Sequence, residues 1–231
     1  MPKPIVVFDL DGTLIDTAPD LIDTLNLILA NEGIPALPFD HARNMIGGGV
    51  RPLIELALKE RNRSIDPRVV DPLFARFLVH YEKHIADRSR PFPGVEASMD
   101  RLADRGFLLA VCTNKYEALS VRLLEALGLS MRFAAICGQD TFTVKKPDPD
   151  ALRQTIARAG GDPERAVMVG DSETDIRTAR AAGIPVVGVD FGYTQVPMAA
   201  LAPDRLIGHF DRLPQAITDL LGARAGASRH G

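Results

Sequence analysis

Four short stretches of the chain carry residue types that can act together on one chemical group. The first is Asp9-Leu10-Asp11-Gly12-Thr13, which follows the apolar run Ile5-Val6-Val7-Phe8. Two carboxylates two residues apart at a strand end can reach one site, and close carboxylates repel unless a cation or a proton intervenes, so the pair invites Mg²⁺. Gly12 permits a tight turn there, and Thr13 can cap or orient. The second is Thr113-Asn114-Lys115, where a hydroxyl, a backbone N–H and an amide make a cradle for phosphate oxygens. The third is Lys145-Lys146-Pro147-Asp148-Pro149-Asp150, which offers positive charge to a phosphoryl transition state. The fourth is Gly170-Asp171-Ser172-Glu173-Thr174-Asp175, whose Asp171 and Asp175 share a face at a helix start. Each stretch also has a purely structural use: an Asx turn, a helix cap, a solvated lysine pair, or acidic residues favoured by a helix dipole. Their order along the chain favours the chemical reading, because each follows one of a series of strand-like runs.

Those runs are residues 5–8, 108–113, 134–137, 166–170, 186–190 and 206–207. They are too continuously apolar for half-exposed strands and fit strands buried on both faces of a parallel sheet. Helical patterns separate them. Asp148-Pro149 and Asp162-Pro163 have the form of an N-cap followed by a first-turn proline, and Gly33, Gly106, Gly128, Gly160 and Gly183 stand where helices should stop. The pattern predicts an α/β fold with a doubly wound, mostly parallel sheet and a Rossmann-like core, which collects ligands at the carboxyl ends of its strands. One region breaks the alternation. Helices are expected over 19–32, 41–45, 52–61 and 68–87 with no buried strand between them, which is more than one crossover needs. The expected organisation is a catalytic core of residues 1–16 and 92–222, an inserted all-helical cap domain over 17–91, and a disordered tail over 223–231.

Composition excludes several classes. With 231 residues, 46% hydrophobic and 25% charged, the chain is not disordered, and its net charge of −3 argues against a nucleic-acid partner that needs a basic surface. No apolar run approaches the roughly 18–20 residues that cross a bilayer. Met1-Pro2-Lys3-Pro4 leads directly into the first strand without room for a signal peptide, and Cys112 and Cys137 read as buried free thiols, so a cytoplasmic location is expected.

Taken in order, Asp9-Leu10-Asp11-Gly12-Thr13, Thr113, Lys146-Pro147 and Gly170-Asp171-Ser172-x-x-Asp175 resemble the four motifs of the haloacid dehalogenase-like hydrolase superfamily, and the helical insert resembles its mobile cap. The resemblance runs from about Ile5 to Leu221. Within the superfamily, Pro19-Asp20-Leu21, Ile46-Gly47-Gly48-Gly49, Thr113-Asn114-Lys115 and Ile184-Pro185-Val186 are most similar to the bacterial phosphoglycolate phosphatases.

The resemblance implies Asp9 as a nucleophile that forms an aspartyl-phosphate, and Asp11 as general acid and then general base. It implies Mg²⁺ held by Asp9, Asp171 and the main-chain carbonyl of Asp11, and phosphoryl oxygens held by Thr113, Asn114 and Lys146. Asp175 would orient Lys146 or a metal-bound water, with Thr13, Gly170 and Ser172 in support. The expected activity is hydrolysis of a small phosphorylated metabolite, 2-phosphoglycolate first, by a monomer or homodimer. A sugar phosphatase, pyrophosphatase or nucleotidase, a β-phosphoglucomutase-like phosphotransferase and a receiver-like signalling module are the alternatives. Haloacid dehalogenases carry Tyr, and ion-pumping ATPases Lys, where this chain has Asp11. In the cap, Gly47 and Gly49 could bring backbone amides to a substrate carboxylate, and Arg51 or Arg43 could pair with it. A glycine-rich helix junction with solvated arginines is the other reading of the same residues.

Overall fold

A computed structural model of the chain describes residues 2–46, 48–194 and 196–227. Its first strand, β1 (Lys3–Phe8), becomes the centre of the sheet because Ile5, Val6, Val7 and Phe8 are apolar on both faces and all fully buried. The chain then forms β2 (Ile15–Asp16) and the helices α1 (Ala18–Asn31), α2 (Phe39–Arg43), α3 (Val50–Glu60) and α4 (Pro67–Lys83). It returns through β3 (Arg90–Pro91) to α5 (Val95–Asp104), β4 (Leu108–Cys112), α6 (Glu117–Ala126) and β5 (Ala135–Cys137). It finishes with α7 (Pro149–Arg158), β6 (Gly161–Gly170), α8 (Glu173–Ala182), β7 (Val186–Val189), β8 (Arg205–Ile207) and α9 (Leu213–Ala227).

The six-stranded sheet runs β5-β4-β1-β6-β7-β8, and every pairing in it is parallel. Alternate side chains build two cores. Val6, Phe8, Leu109, Val111, Val167 and Val169 pack with α5, α6 and α9, whereas Ile5, Val7, Ala110, Cys112 and Met168 pack with α7 and α8. The chain adds strands to one side of β1 and then to the other, so β1 lies at the topological switch point, where ligands enter such sheets. Register makes this concrete: Phe8 is level with Val111 on one side and Val169 on the other. The residues that follow these three therefore emerge together.

Helices α1–α4 occupy the interval between β2 and β3, which pair antiparallel with Ile15 opposite Pro91 and Asp16 opposite Arg90. Leu21, Leu25 and Leu29 of α1, Leu53 and Ile54 of α3, and Leu73, Phe77 and Tyr81 of α4 are buried in one cluster. Asp20 fixes the base of this segment: its buried carboxylate accepts the backbone N–H groups of Arg88 and Ser89 and the Ser89 hydroxyl, at 2.6–3.1 Å. No helix among the described residues is long and apolar enough to cross a membrane.

Two expectations are corrected. Asp162-Pro163 does not start a helix; both residues lie in β6, which begins at Gly161 opposite Lys3. The register with β1 shifts between Lys3 and Ile5, and Pro163 sits in that irregularity, where a missing N–H costs no ladder bond. The final helix also continues to Ala227, beyond the expected end of structure at Gly222. Leu213, Ile217 and Leu220 anchor its buried face, and extending a formed helix is far cheaper than starting one. Residues 228–231 of the expected tail lie outside the described residues.

Candidate active site

Asp9, Asp171 and Asp175 meet at the carboxyl edge of the sheet, each with a carboxylate oxygen within 4.8 Å of the others. Asp9 follows β1, Asp171 follows β6, and Asp175 lies in the first turn of α8. Two hydrogen bonds hold Asp171: the Thr13 hydroxyl donates to Oδ1 at 3.0 Å and the Tyr193 N–H to Oδ2 at 2.7 Å. Gly12 must be glycine for this to happen. Its φ is +80°, and a Cβ would stand 2.3 Å from Asp171 Oδ2. Gly170 is required for a similar reason, since a Cβ there would stand 2.4 Å from the Asp175 side chain.

Lys146 reaches into this cluster from the loop before α7. Its Nζ lies 2.6 Å from Asp175 Oδ1 and 3.0 Å from Asp9 Oδ1, with all three side chains largely or wholly buried. Lys145 instead lies at the surface, where its Nζ donates to Gln139. Ser172 and Asp175 form a reciprocal capping box: Asp175 Oδ2 accepts the Ser172 N–H and hydroxyl, while Ser172 Oγ accepts the Asp175 N–H. Both Asp175 oxygens are thus engaged, which makes it an orienting partner for Lys146. Asp9 also accepts the Leu10 N–H on Oδ1 at 2.7 Å, so its contacts with Lys146 and Leu10 fall on the same oxygen.

The electrostatics follow from three carboxylates sharing one ammonium. Burial pushes Asp9 up to about 6; Asp175 adds to the shift and Lys146 opposes it. Burial, then Asp175 and Asp9, push Asp171 up to about 8. For Lys146, burial favours the neutral form, but Asp175 and Asp9 outweigh it and leave the ammonium held well above its ordinary range. A compact, all-oxygen set of carboxylates with excess negative charge fits a hard divalent cation such as Mg²⁺. The Asp11 side chain does not join this set.

Asp11 turns instead to Lys115, a residue to which the sequence pattern assigns no role. Lys115 Nζ donates to Asp11 Oδ1 and Oδ2 at 3.0 and 3.1 Å and to the Tyr81 hydroxyl, contributed by α4, at 2.8 Å. Tyr81 reads in the sequence only as part of an apolar helical stripe. The available signal is its hydroxyl, which needs a partner once the ring is buried. Tyr193 is a second residue missed: beyond its N–H bond to Asp171, its hydroxyl donates to Asp16 Oδ1 at 2.6 Å and accepts the Ala18 N–H at 2.9 Å.

Thr113 is buried at the end of β4, and its hydroxyl accepts the Lys115 N–H at 3.2 Å. Asn114 Nδ2 donates to the Lys146 carbonyl at 3.1 Å and so ties the two loops together. Its Oδ1 is buried without a hydrogen-bond partner among the described residues. These residues, with Asp9, Asp11 and Lys115, line a cleft whose opposite wall is formed by Leu21, Ile46, Gly49, Val50 and Leu53.

Of the candidate specificity residues, Gly49 lines the cleft with φ +93° beside the Asn114 carbonyl, and Gly47 lies outside the described residues. Arg51 is not brought to the cleft. It pairs with Asp71 at 2.6 Å and stacks over Phe74, both on α4. Arg43 donates to the Phe191 carbonyl at 2.8 Å and lies over the Tyr193 ring. Packing of α3 on α4 has thus drawn Arg51, and the loop after β7 has drawn Arg43, into other contacts.

The profile of the haloacid dehalogenase-like hydrolase family matches residues 6–189. A phosphoglycolate phosphatase of Mesorhizobium japonicum is 53% identical over 226 residues, covering 98% of this chain and 100% of that protein. A phosphoglycolate phosphatase of Agrobacterium fabrum is 45% identical, covering 98% and 97%. Among solved structures, a predicted phosphoglycolate phosphatase from Haemophilus somnus 129PT superposes with a TM-score of 0.86 at 28% identity, covering 92% of this chain and 97% of that one.

Proposed function

The chain belongs to the haloacid dehalogenase-like hydrolase family, and from that premise we propose that it is a Mg²⁺-dependent phosphatase that converts 2-phosphoglycolate to glycolate and phosphate. The observation that carries this reading is the meeting of Asp9, Asp171 and Lys146 at the sheet's switch point, beside Thr113 and Asn114. Asp9 is the nucleophile. Its Oδ1 is occupied by Leu10 and Lys146, which leaves Oδ2 for in-line attack on phosphorus. The bond from Asp9 to phosphorus forms as the bond from phosphorus to the glycolate oxygen breaks, and Asp11 gives that oxygen a proton. Asp11 then takes a proton from water, which attacks phosphorus and frees Asp9.

Asp9, Asp171 and the Asp11 carbonyl hold the Mg²⁺, which when bound offsets repulsion between the Asp9 carboxylate and the phosphate dianion. Lys146, the Thr113 hydroxyl and the Asn114 N–H bind the remaining phosphoryl oxygens, where charge resides in the transition state. Asp175 keeps Lys146 aimed. Residues 17–91 act as a lid that moves about the β2–β3 ribbon and excludes water when closed.

The test is phosphate release from a panel of phosphorylated acids, sugars and nucleotides. 2-Phosphoglycolate should rank first by kcat/KM, and activity should vanish with EDTA and in Asp9→Asn. Full turnover in Asp9→Asn defeats the mechanism, whereas a hexose phosphate or nucleotide at the head of the panel defeats the substrate assignment.

A further inference from the structure

Hydrolysis of 2-phosphoglycolate poses a recognition problem that the phosphoryl site alone does not solve. The substrate carries a second anion, a carboxylate one methylene from the ester oxygen. A group that selects for it must stand beside the residue that protonates that oxygen, which in the proposed mechanism is Asp11.

We infer that Lys115 is the carboxylate-recognising residue and that Tyr81 holds its ammonium in place; this rests on the phosphoglycolate reading above. The other cations near the cleft are committed elsewhere. Lys146 is enclosed by Asp9 and Asp175, Arg43 is bound to the Phe191 carbonyl, and the half-exposed Arg51 is bound to Asp71. Among the described residues, Lys115 is the cationic side chain that lines the cleft, and its side chain is only 5% exposed.

Its surroundings are built for a carboxylate. The ammonium has three donors. Two reach the two oxygens of Asp11 and the third reaches Tyr81, so the site already accommodates one carboxylate in two-oxygen contact. A substrate carboxylate that takes over the two Asp11 bonds leaves the Tyr81 bond intact and frees Asp11 to turn toward the ester oxygen. The position of Lys115 is fixed from both sides, because Thr113 Oγ1 accepts its N–H at 3.2 Å and the Gln139 N–H donates to its carbonyl at 2.9 Å. The Tyr81 hydroxyl in turn holds the ammonium at the end of that anchored side chain. Leu21, Ile46, Val50 and Leu53 make the facing wall apolar, which strengthens a charge-assisted hydrogen bond.

The experiment compares 2-phosphoglycolate with 2-hydroxyethyl phosphate, which has a hydroxymethyl group in place of the carboxylate, in wild type and Lys115→Gln. The expected result is a loss of about ten- to a hundredfold in kcat/KM for 2-phosphoglycolate, mostly through KM, as for loss of a hydrogen bond to a charged group. The neutral analogue, which is exposed only to the loss of the Lys115–Asp11 contact, should lose at least about tenfold less, so the preference collapses. Competitive inhibition by inorganic phosphate should be unaltered, which reports an intact phosphoryl site. Equal losses on both substrates overturn the inference and make Lys115 a partner of Asp11 alone. Failure of the wild-type protein to hydrolyse 2-phosphoglycolate overturns the functional reading instead. Should Lys115→Gln not fold, Tyr81→Phe carries the same test: KM for 2-phosphoglycolate rises severalfold while that for the analogue stays, and parallel changes count against the inference.

Discussion

Lys146 Nζ stands 2.6 Å from Asp175 Oδ1, with both side chains essentially removed from solvent. Asp175→Asn keeps the shape but leaves a buried ammonium with Asp9 as its one remaining carboxylate partner. Breaking a buried pair from one side costs about 3–5 kcal/mol, and the surviving Asp9 contact puts this case near the lower limit. Urea unfolding should report that loss. Asp150→Asn, which removes an exposed pairing with Arg153 at 3.0 Å, should cost less than about 1 kcal/mol. Similar losses for the two variants would show that Lys146 does not depend on Asp175.

The raised pKa values of Asp9, about 6, and Asp171, about 8, set a pH dependence for the metal-free protein. Both groups bind their protons more tightly when folded than at the ordinary value of 3.8. Their stabilising contribution is therefore complete below about pH 4 and is lost as pH rises through 6 and then 8. In EDTA, Tm should fall between pH 5 and pH 8.5. Because Mg²⁺ competes with those protons, the rise in Tm on adding Mg²⁺ should be larger at pH 8.5 than at pH 5.5. Thermal scans with EDTA and with Mg²⁺ at the two pH values provide the check, and a pH-independent Mg²⁺ effect contradicts it.

The parts of this site that were legible in the sequence are those whose position is set locally. Asp9, Thr113 and Asp171 follow strands with continuous apolar character, and the register of β1 with β4 and β6 brings them together. Lys146 is distinguished from Lys145 by the proline beside it. What was illegible depends on pairings across long stretches of chain. An Asp-Pro step serves a helix start or a bulged strand equally well, and only the pairing of Gly161 with Lys3 decides for Asp162-Pro163. Arg51 has the right charge for an anion, but the packing of α3 on α4 brings Asp71 and Phe74 to it. Tyr81 and Lys115 meet only because α4 descends onto the sheet edge, and neither residue's neighbours in sequence announce that contact.

Gly12→Ala should separate backbone strain from damage to the cation site. At φ +80° an alanine costs about 1–2 kcal/mol, and its Cβ would also displace Asp171 Oδ2 and the Tyr193 ring. Gly33→Ala has comparable strain at φ +66° but meets nothing within 4 Å. The half-saturating Mg²⁺ concentration should therefore rise about 10–100-fold in Gly12→Ala, the usual range for disturbing the groups that orient a ligand, and remain at the wild-type value in Gly33→Ala. Mg²⁺ titration of phosphate release measures both.

Tyr193→Phe tests whether the cation site and the joint of the helical segment are separable. The Tyr193 main chain holds Asp171, while its hydroxyl bridges Asp16 of β2 and the Ala18 N–H at the start of α1. Phenylalanine keeps the N–H bond to Asp171 and removes only the bridge. The Ala18 N–H is then left buried without its acceptor, and the variant should lose about 1–3 kcal/mol of stability by urea unfolding. Mg²⁺ half-saturation should stay within about twofold of wild type, because the bond that orients the ligand Asp171 survives. If residues 17–91 close over the cleft about the β2–β3 ribbon, kcat/KM for 2-phosphoglycolate should fall severalfold even at saturating Mg²⁺, since Asp16 pairs with Arg90 in that ribbon. A stability loss with unchanged kcat/KM would make the hydroxyl a structural pin and remove the ribbon from the catalytic cycle.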